Sequence, residues 1–138
     1  PFVGHFMRRA GYVPVDYSDT GRGFDTLKQA ATGLQRDGLG LVFFPEGTRS
    51  RDGTIAPFKR GAFLMARETG LPIVPFALVG TIDVIRKGSG RVRRAPLTLA
   101  IGGPLHIDSS LDGPAFRDWI ASVREKVIAL HRGGESPS

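Results

Sequence analysis

The spacing of apolar and polar positions along the 138-residue chain changes several times, and each change marks an element. Phe24, Leu27, Ala31 and Leu34 recur at helical spacing, which predicts a helix capped by Asp19 or Thr20 and stopped by Gly38 and Gly40. Leu41-Val42-Phe43-Phe44 is purely apolar and reads as a buried strand. Helical spacing returns from Lys59 to Thr69, with Ala62, Phe63, Met65 and Ala66 as its apolar content and Gly70 as its stop. Leu71 to Val79 is apolar on both faces, as in a strand of a covered sheet, although Pro75 points to a strand end or edge. Leu97 to Ile101 reads as a further strand. Asp112 opens a last helix, on which Phe116, Trp119, Ile120, Val123 and Val127 form an amphipathic stripe. At the front, Phe2 to Ala10 reads as a short helix ended by Gly11, and Tyr12-Val13-Pro14-Val15 as a short edge strand. Alternating strands and helices imply an α/β domain, with a mostly parallel or mixed sheet flanked by helices. The expected organisation is one domain over 1–132 and a flexible tail over 133–138.

Composition narrows the chemistry. The absence of cysteine excludes disulfides, thiolate catalysis and cysteine metal sites. Three scattered histidines, His5, His106 and His131, make no metal-ligand pattern, so neither a metal nor a cofactor is expected. A net charge of +6 favours anionic partners: phosphorylated ligands, acidic lipid surfaces or nucleic acid. Five of the basic residues, Arg86, Lys87, Arg91, Arg93 and Arg94, fall in one segment without an acid. That segment lacks interleaved aromatics, which argues against nucleic acid and leaves an anionic membrane surface as the expected partner. Its plain alternative is a solvated loop. No apolar run approaches the ~18 residues needed to span a bilayer.

The chemistry concentrates after the first buried strand. Phe44-Pro45-Glu46-Gly47-Thr48-Arg49-Ser50 puts a carboxylate, a glycine, a hydroxyl and a guanidinium at consecutive positions. Arg49 offers a planar fork of donors suited to phosphate or carboxylate, and Gly47 lets the backbone turn sharply and approach a ligand. Such a segment at the end of a buried strand is where an α/β protein usually holds its ligand. A surface ion pair between Glu46 and Arg49 is the plain alternative. Lys59 stands at a predicted helix start, where a cation conflicts with the positive helix end unless an anion binds nearby.

The same residues carry a resemblance. Phe44 to Ser50, then Gly53, Phe58-Lys59-Arg60-Gly61 and Leu71-Pro72-Ile73-Val74-Pro75-Phe76, resemble in order and spacing the glycerolipid acyltransferase family, of the 1-acyl-sn-glycerol-3-phosphate acyltransferase type. The likeness reaches back to Gly11-Tyr12-Val13-Pro14-Val15-Asp16. It implies acyl transfer from acyl-CoA or acyl-carrier protein, as co-substrate, to the hydroxyl of lysophosphatidic acid or a related lysophospholipid. It also implies a membrane-associated enzyme of phospholipid synthesis on the cytoplasmic face. Glu46, Gly47, Thr48, Arg49, Lys59 and Pro75 are then the acceptor-binding residues, with Gly47 and Arg49 at the phosphate.

Two departures from the family pattern stand out. The family's general base is the histidine of a His-x-x-x-x-Asp pair, and no such spacing occurs here: the fifth residues after His5, His106 and His131 are Ala10, Leu111 and Ser136. The expectation is that the pair precedes Pro1, so that no catalytic residue is present and the chain by itself is inactive. A non-catalytic relative that binds anionic lipid or phosphate is the alternative. The family's second block usually ends in Asp-Arg, whereas Asp16 is followed here by Tyr17. Arg22 is the nearby candidate for the lost phosphate contact.

Overall fold

Gly70 shows how closely local sequence and local structure agree. A computed structural model of the protein describes residues 28, 29, 31, 33, 36–85, 88 and 91–134. In it, helix α1 spans Gly61–Thr69 and ends at Gly70, whose φ of 69° places it in the left-handed region. A glycine adopts that conformation without a Cβ penalty, so the helix stops where the sequence predicts. Phe63, Met65 and Ala66 form its buried side.

The chain divides into two compact units, Pro1–Phe43 and Phe44–Ser138. In the first, residues 28, 29, 31, 33 and 36 are helical, and Ala31 is buried as the periodicity predicts. Phe24, Leu27 and Leu34, the short helix from Phe2 and the edge strand at Tyr12 lie outside the described residues. Of the tail expected over 133–138, Gly133 and Gly134 belong instead to the last helix, and 135–138 lie outside the described residues. Leu41 to Phe44 form no strand ladder among the described residues, contrary to the buried strand their composition suggests. Val42 is 69% exposed there, so the burial that would favour a strand is missing.

In the second unit, strand β1 (Phe76–Val79) is followed by a single helical turn, α2 (Thr81–Val84), and then by strand β2 (Thr98–Ile101). The two strands pair antiparallel, with Phe76 opposite Ile101 and Val79 opposite Thr98. The chain is thus α/β as expected, but its described strand pair is antiparallel. An antiparallel return needs no crossover helix, and the segment from Gly80 to Leu97 provides it. The Arg93 amide, bonded to the Val84 carbonyl at 2.8 Å, ties that segment down.

Pro75 shortens the predicted Leu71 to Val79 strand. Having no N–H, it cannot donate to the ladder, and β1 begins just after it. Its carbonyl still accepts from Gly102 at 2.8 Å, and an isolated bridge joins Ile73 to Leu105. Val74 and Pro75 lie between bridge and strand on one side, against Gly102, Gly103 and Pro104 on the other. The extra residue is a bulge, placed where two glycines make it easy.

Helix α3 spans Gly113–Gly134, about 33 Å at 1.5 Å per residue. It buries Phe116, Ile120 and Val123, three members of the predicted stripe. These join Phe63 in the core, and Phe58, Ile73, Leu105 and Trp119 pack around them. The Trp119 ring meets Phe63 edge-on at 6.1 Å. Farther along, α3 lies against the Thr98, Ala100 and Val79 side chains, which its Gly134 approaches closely. The opposite face of the strand pair carries Leu99 and Ile101, 56% and 62% exposed. The predicted strand is thus apolar on both faces, but α3 covers one.

Candidate functional site

The residues singled out in the sequence sit on an irregular stretch, 44–60, between Phe43 and α1. Its first four residues form a turn, closed by the Gly47 amide donating to the Phe44 carbonyl at 3.0 Å. Pro45 takes the second position, for which its fixed φ is suited. Gly47 leaves the turn at φ 72°, the conformation that requires glycine. The Lys59 amide donates to the Pro45 carbonyl at 2.8 Å and so brings the end of the stretch back to its beginning. As a result the Lys59 side chain lies across Gly47: a Cβ built there would fall 2.5 Å from Nζ and 2.8 Å from Cε. Two positions twelve residues apart thereby become neighbours.

Glu46 is half-buried and accepts a hydrogen bond from the Ala56 amide to Oε2 at 2.9 Å. Its carboxylate therefore braces the stretch internally. The middle is folded by short polar side chains. Ser50 Oγ accepts from the Gly53 amide at 2.9 Å and donates to Asp52 Oδ1 at 3.0 Å. Asp52 Oδ1 also accepts from the Thr54 amide at 3.0 Å and the Thr54 hydroxyl at 2.6 Å. These bonds, the Thr54 hydroxyl first and then the Thr54 amide and Ser50 hydroxyl, hold the Asp52 carboxyl down to about 2. The Asp-Gly pair at Asp52-Gly53 announces such a turn, and local side-chain bonding by Asp and Ser explains it.

With those groups occupied, the cations remain. The Arg49 and Lys59 side chains are exposed, and neither makes a hydrogen bond or ion pair with a described residue. Thr48 lies exposed between Gly47 and Arg49. α1 begins two residues beyond Lys59 with no acidic residue in its first turn and no side-chain cap. Its orphan amides add positive potential beside two cations, an arrangement that an anion relieves.

The structure gathers Glu46, Gly47, Thr48, Arg49 and Lys59 into one small region. Pro75 is not in it. It is buried at the entry to β1 and lines an apolar groove with Gly102, Leu105, Leu130 and the Lys126 stem, about 720 Å³ in volume. Its link to the turn is indirect, through the Phe44 and Phe76 rings, which meet edge-on at 6.0 Å. Tyr17, Arg22 and His5 lie outside the described residues, as do Arg86 and Lys87 of the basic segment. Arg91, Arg93 and Arg94 of that segment are exposed.

One participant escapes the sequence reading. Arg124 of α3 donates from Nη2 to the Ile55 carbonyl at 2.5 Å and from Nε to the Ala56 carbonyl at 3.1 Å. The available signal was an arginine bordering the apolar stripe, four residues after Ile120. Beside it, Pro57, Phe58 and Arg60 face Arg117, Ile120 and Ala121 across a shallow cleft.

Known proteins resemble this chain in sequence and in fold. Residues 1–79 match the sequence profile of the acyltransferase family. A 1-acyl-sn-glycerol-3-phosphate acyltransferase from Limnanthes douglasii is 39% identical over 132 residues, covering 95% of this chain and 44% of its own length. One from Saccharomyces cerevisiae is 30% identical, covering the whole of this chain and 46% of its own. The crystal structure of the 1-acyl-sn-glycerophosphate (LPA) acyltransferase PlsC from Thermotoga maritima superposes with a TM-score of 0.62 at 26% identity. That likeness covers 80% of this chain and 45% of the other. The chain thus spans less than half the length of the relatives it matches.

Proposed function

This chain belongs to the acyltransferase family, and we propose that stretch 44–60 is the acceptor-phosphate site of an enzyme that acylates lysophosphatidic acid or a related lysophospholipid. The observation that carries the reading is the Lys59 side chain lying over Gly47, two residues before Arg49, with neither cation engaged by a described residue and Glu46 bonded to Ala56. Arg51 and Arg60 of the same stretch are exposed cations too. A phosphate monoester presents several oxygens. Arg49 can take two of them bidentately, and Lys59 adds a point charge from across Gly47. Glu46 shapes the turn through Ala56, and Thr48 and the uncapped start of α1 complete the cradle.

The acyl donor is a thioester, acyl-CoA or acyl-carrier protein. The acceptor hydroxyl oxygen attacks the thioester carbonyl, the carbon–sulfur bond breaks, and the thiol leaves as the ester forms. The hydroxyl proton needs a base, which Arg49 and Lys59 as cations do not supply. The family resemblance implies that a histidine–aspartate pair takes it. The site's contribution is to fix the acceptor so that the hydroxyl lies within reach of the thioester. The substrates are amphiphilic, and the exposed Arg93 and Arg94 favour work at an anionic membrane surface. No helix among the described residues is long and apolar enough to cross a membrane.

The test is acyl transfer to lysophosphatidic acid by the protein expressed from its complete reading frame, with and without Arg49→Ala. An unchanged kcat/KM for the acceptor would defeat the reading of this stretch as the acceptor site. A second reading, a lipid-binding relative without catalysis, is favoured by the missing His-x-x-x-x-Asp spacing. It predicts binding of lysophosphatidic acid with no product under any donor.

A further inference from the structure

Arg124 does more than border the core. The Ile55 carbonyl and the Ala56 amide belong to one peptide unit, whose C=O and N–H point in opposite directions in the trans form. Arg124 Nη2 and Nε donate to that carbonyl at 2.5 and 3.2 Å. The amide on the other side donates to Glu46 Oε2 at 2.9 Å. Helix α3 and the acceptor turn thus grip a single peptide plane from its two edges. Nε also reaches the next carbonyl, Ala56, at 3.1 Å, which fixes the orientation of the fork. The remaining amine, Nη1, meets Glu125 at 3.1 Å, a neighbour in sequence that leaves the clamp undisturbed. A donor on the carbonyl also polarises the peptide and strengthens its amide as a donor toward Glu46.

We infer that Arg124 is a positioning residue for the acceptor site. It acts through the Ile55–Ala56 peptide on Glu46, and through Glu46 on the turn that presents Gly47, Arg49 and the overlying Lys59. The inference rests on the reading of stretch 44–60 as the acceptor site. The need for such a brace follows from the backbone: residues 45–58 contain no helix or strand, and their own bonds are mostly local. An irregular segment of that length holds a cation within a fraction of an ångström of a phosphate only if tied to a rigid element. α3, buried along its stripe, is rigid in that sense.

The test compares Arg124→Met, Arg124→Lys and Arg49→Ala in the protein expressed from its complete reading frame, with lysophosphatidic acid and acyl-CoA varied in turn. Arg124→Met is expected to raise the KM for the acceptor about tenfold while the KM for the donor stays within about twofold, because a misplaced turn weakens one substrate and not the other. Arg124→Lys keeps one charged donor without the fork and should recover part of the loss. Combining Arg124→Met with Glu46→Gln should cost no more than the larger single change, because both act on one peptide.

Acceptor kinetics unchanged in Arg124→Met would overturn the inference, whatever happens to its thermal midpoint. So would an equal rise in both KM values, or additive losses in the double variant. Should Arg124→Met fail to fold, Arg124→Lys decides by itself: a raised acceptor KM supports the clamp, and an unchanged one overturns it. Arg49→Ala separates this inference from the reading beneath it. A raised acceptor KM in Arg49→Ala beside unchanged Arg124 variants defeats the clamp alone. An unchanged KM in Arg49→Ala defeats the acceptor reading and the clamp with it.

Discussion

Two stretches of this protein carry exposed arginines, and they are built differently. In residues 44–60, nearly every polar group that could collapse onto Arg49 or Lys59 is already engaged. Glu46 holds Ala56, Asp52 holds Thr54 and Ser50, and Pro45 holds the Lys59 amide. In residues 91–97, Arg93 and Arg94 stand beside Val92 and Leu97, which are 73% and 57% exposed, and the Arg93 amide is the backbone tie to Val84. Charge is similar in the two places, but preorganisation is not. A phosphate meeting the first stretch finds its cations on a backbone already folded by internal bonds, whereas in the second the backbone tie is the Arg93 amide to Val84. If residues 44–60 hold the acceptor phosphate as proposed, charge density alone, the quantity most easily read from sequence, ranks the two stretches in the wrong order.

The comparison can be broken at several points. The largest effect is expected from Arg49→Ala, which removes the fork and should lower kcat/KM for the acceptor about a hundredfold, the scale of a charged, bidentate contact. Gly47→Ala comes next. Its Cβ would meet the Lys59 side chain, and φ 72° is unfavourable for alanine. We expect an acceptor KM raised about tenfold and a stability loss of about 1–2 kcal/mol, read by steady-state kinetics and urea unfolding. Equal kinetics for wild type and Gly47→Ala would show that Lys59 need not lie over the turn.

A smaller effect should follow pH. The Asp52 carboxyl titrates near 2 in the folded protein against 3.8 when free. The folded value is depressed, so the contribution is fully present above about pH 4 and is lost as pH falls toward 2. Asp52→Asn should therefore lower the urea midpoint at pH 5 and converge with wild type near pH 2. A constant gap between the two across that range would mean that the carboxylate charge is not what folds the 50–54 turn. The smallest effect is expected in the second stretch. Arg93→Ala or Arg94→Ala should weaken binding to anionic vesicles by about 1 kcal/mol each, a shift that salt erases. An effect on vesicle binding as large as that of Arg49→Ala on the acceptor would end the contrast between the stretches.

The sequence was most readable where the cause is local. Gly70 stops α1, and the stripe Phe116, Ile120 and Val123 defines α3, because each depends on residues within a turn or two. The motif from Phe44 to Ser50, with Lys59, was legible through residue chemistry and resemblance. Pairing was not. Nothing near Phe76 says that its partner is Ile101, or that the pair runs antiparallel, since that is settled by segments about twenty residues apart. α2 is a single turn rich in β-branched residues, and its sequence gives no helical period to find. Arg124 was hidden for the same reason: its partners lie 68 and 69 residues away.

Pro75 and Gly102 bear on register. β1 and β2 are four residues each and carry apolar side chains on both faces, so hydrophobic pattern alone would let one strand slide against the other. A Cβ on Gly102 would lie 3.0 Å from Pro75 Cγ and 3.3 Å from Leu130 Cδ1. Sliding β2 by one residue in the direction that brings Ile101 opposite Pro75 would put a branched side chain into that space. The proline ring and the missing side chain opposite it thus act as a keyed joint, which admits one alignment of the strands and obstructs its neighbour.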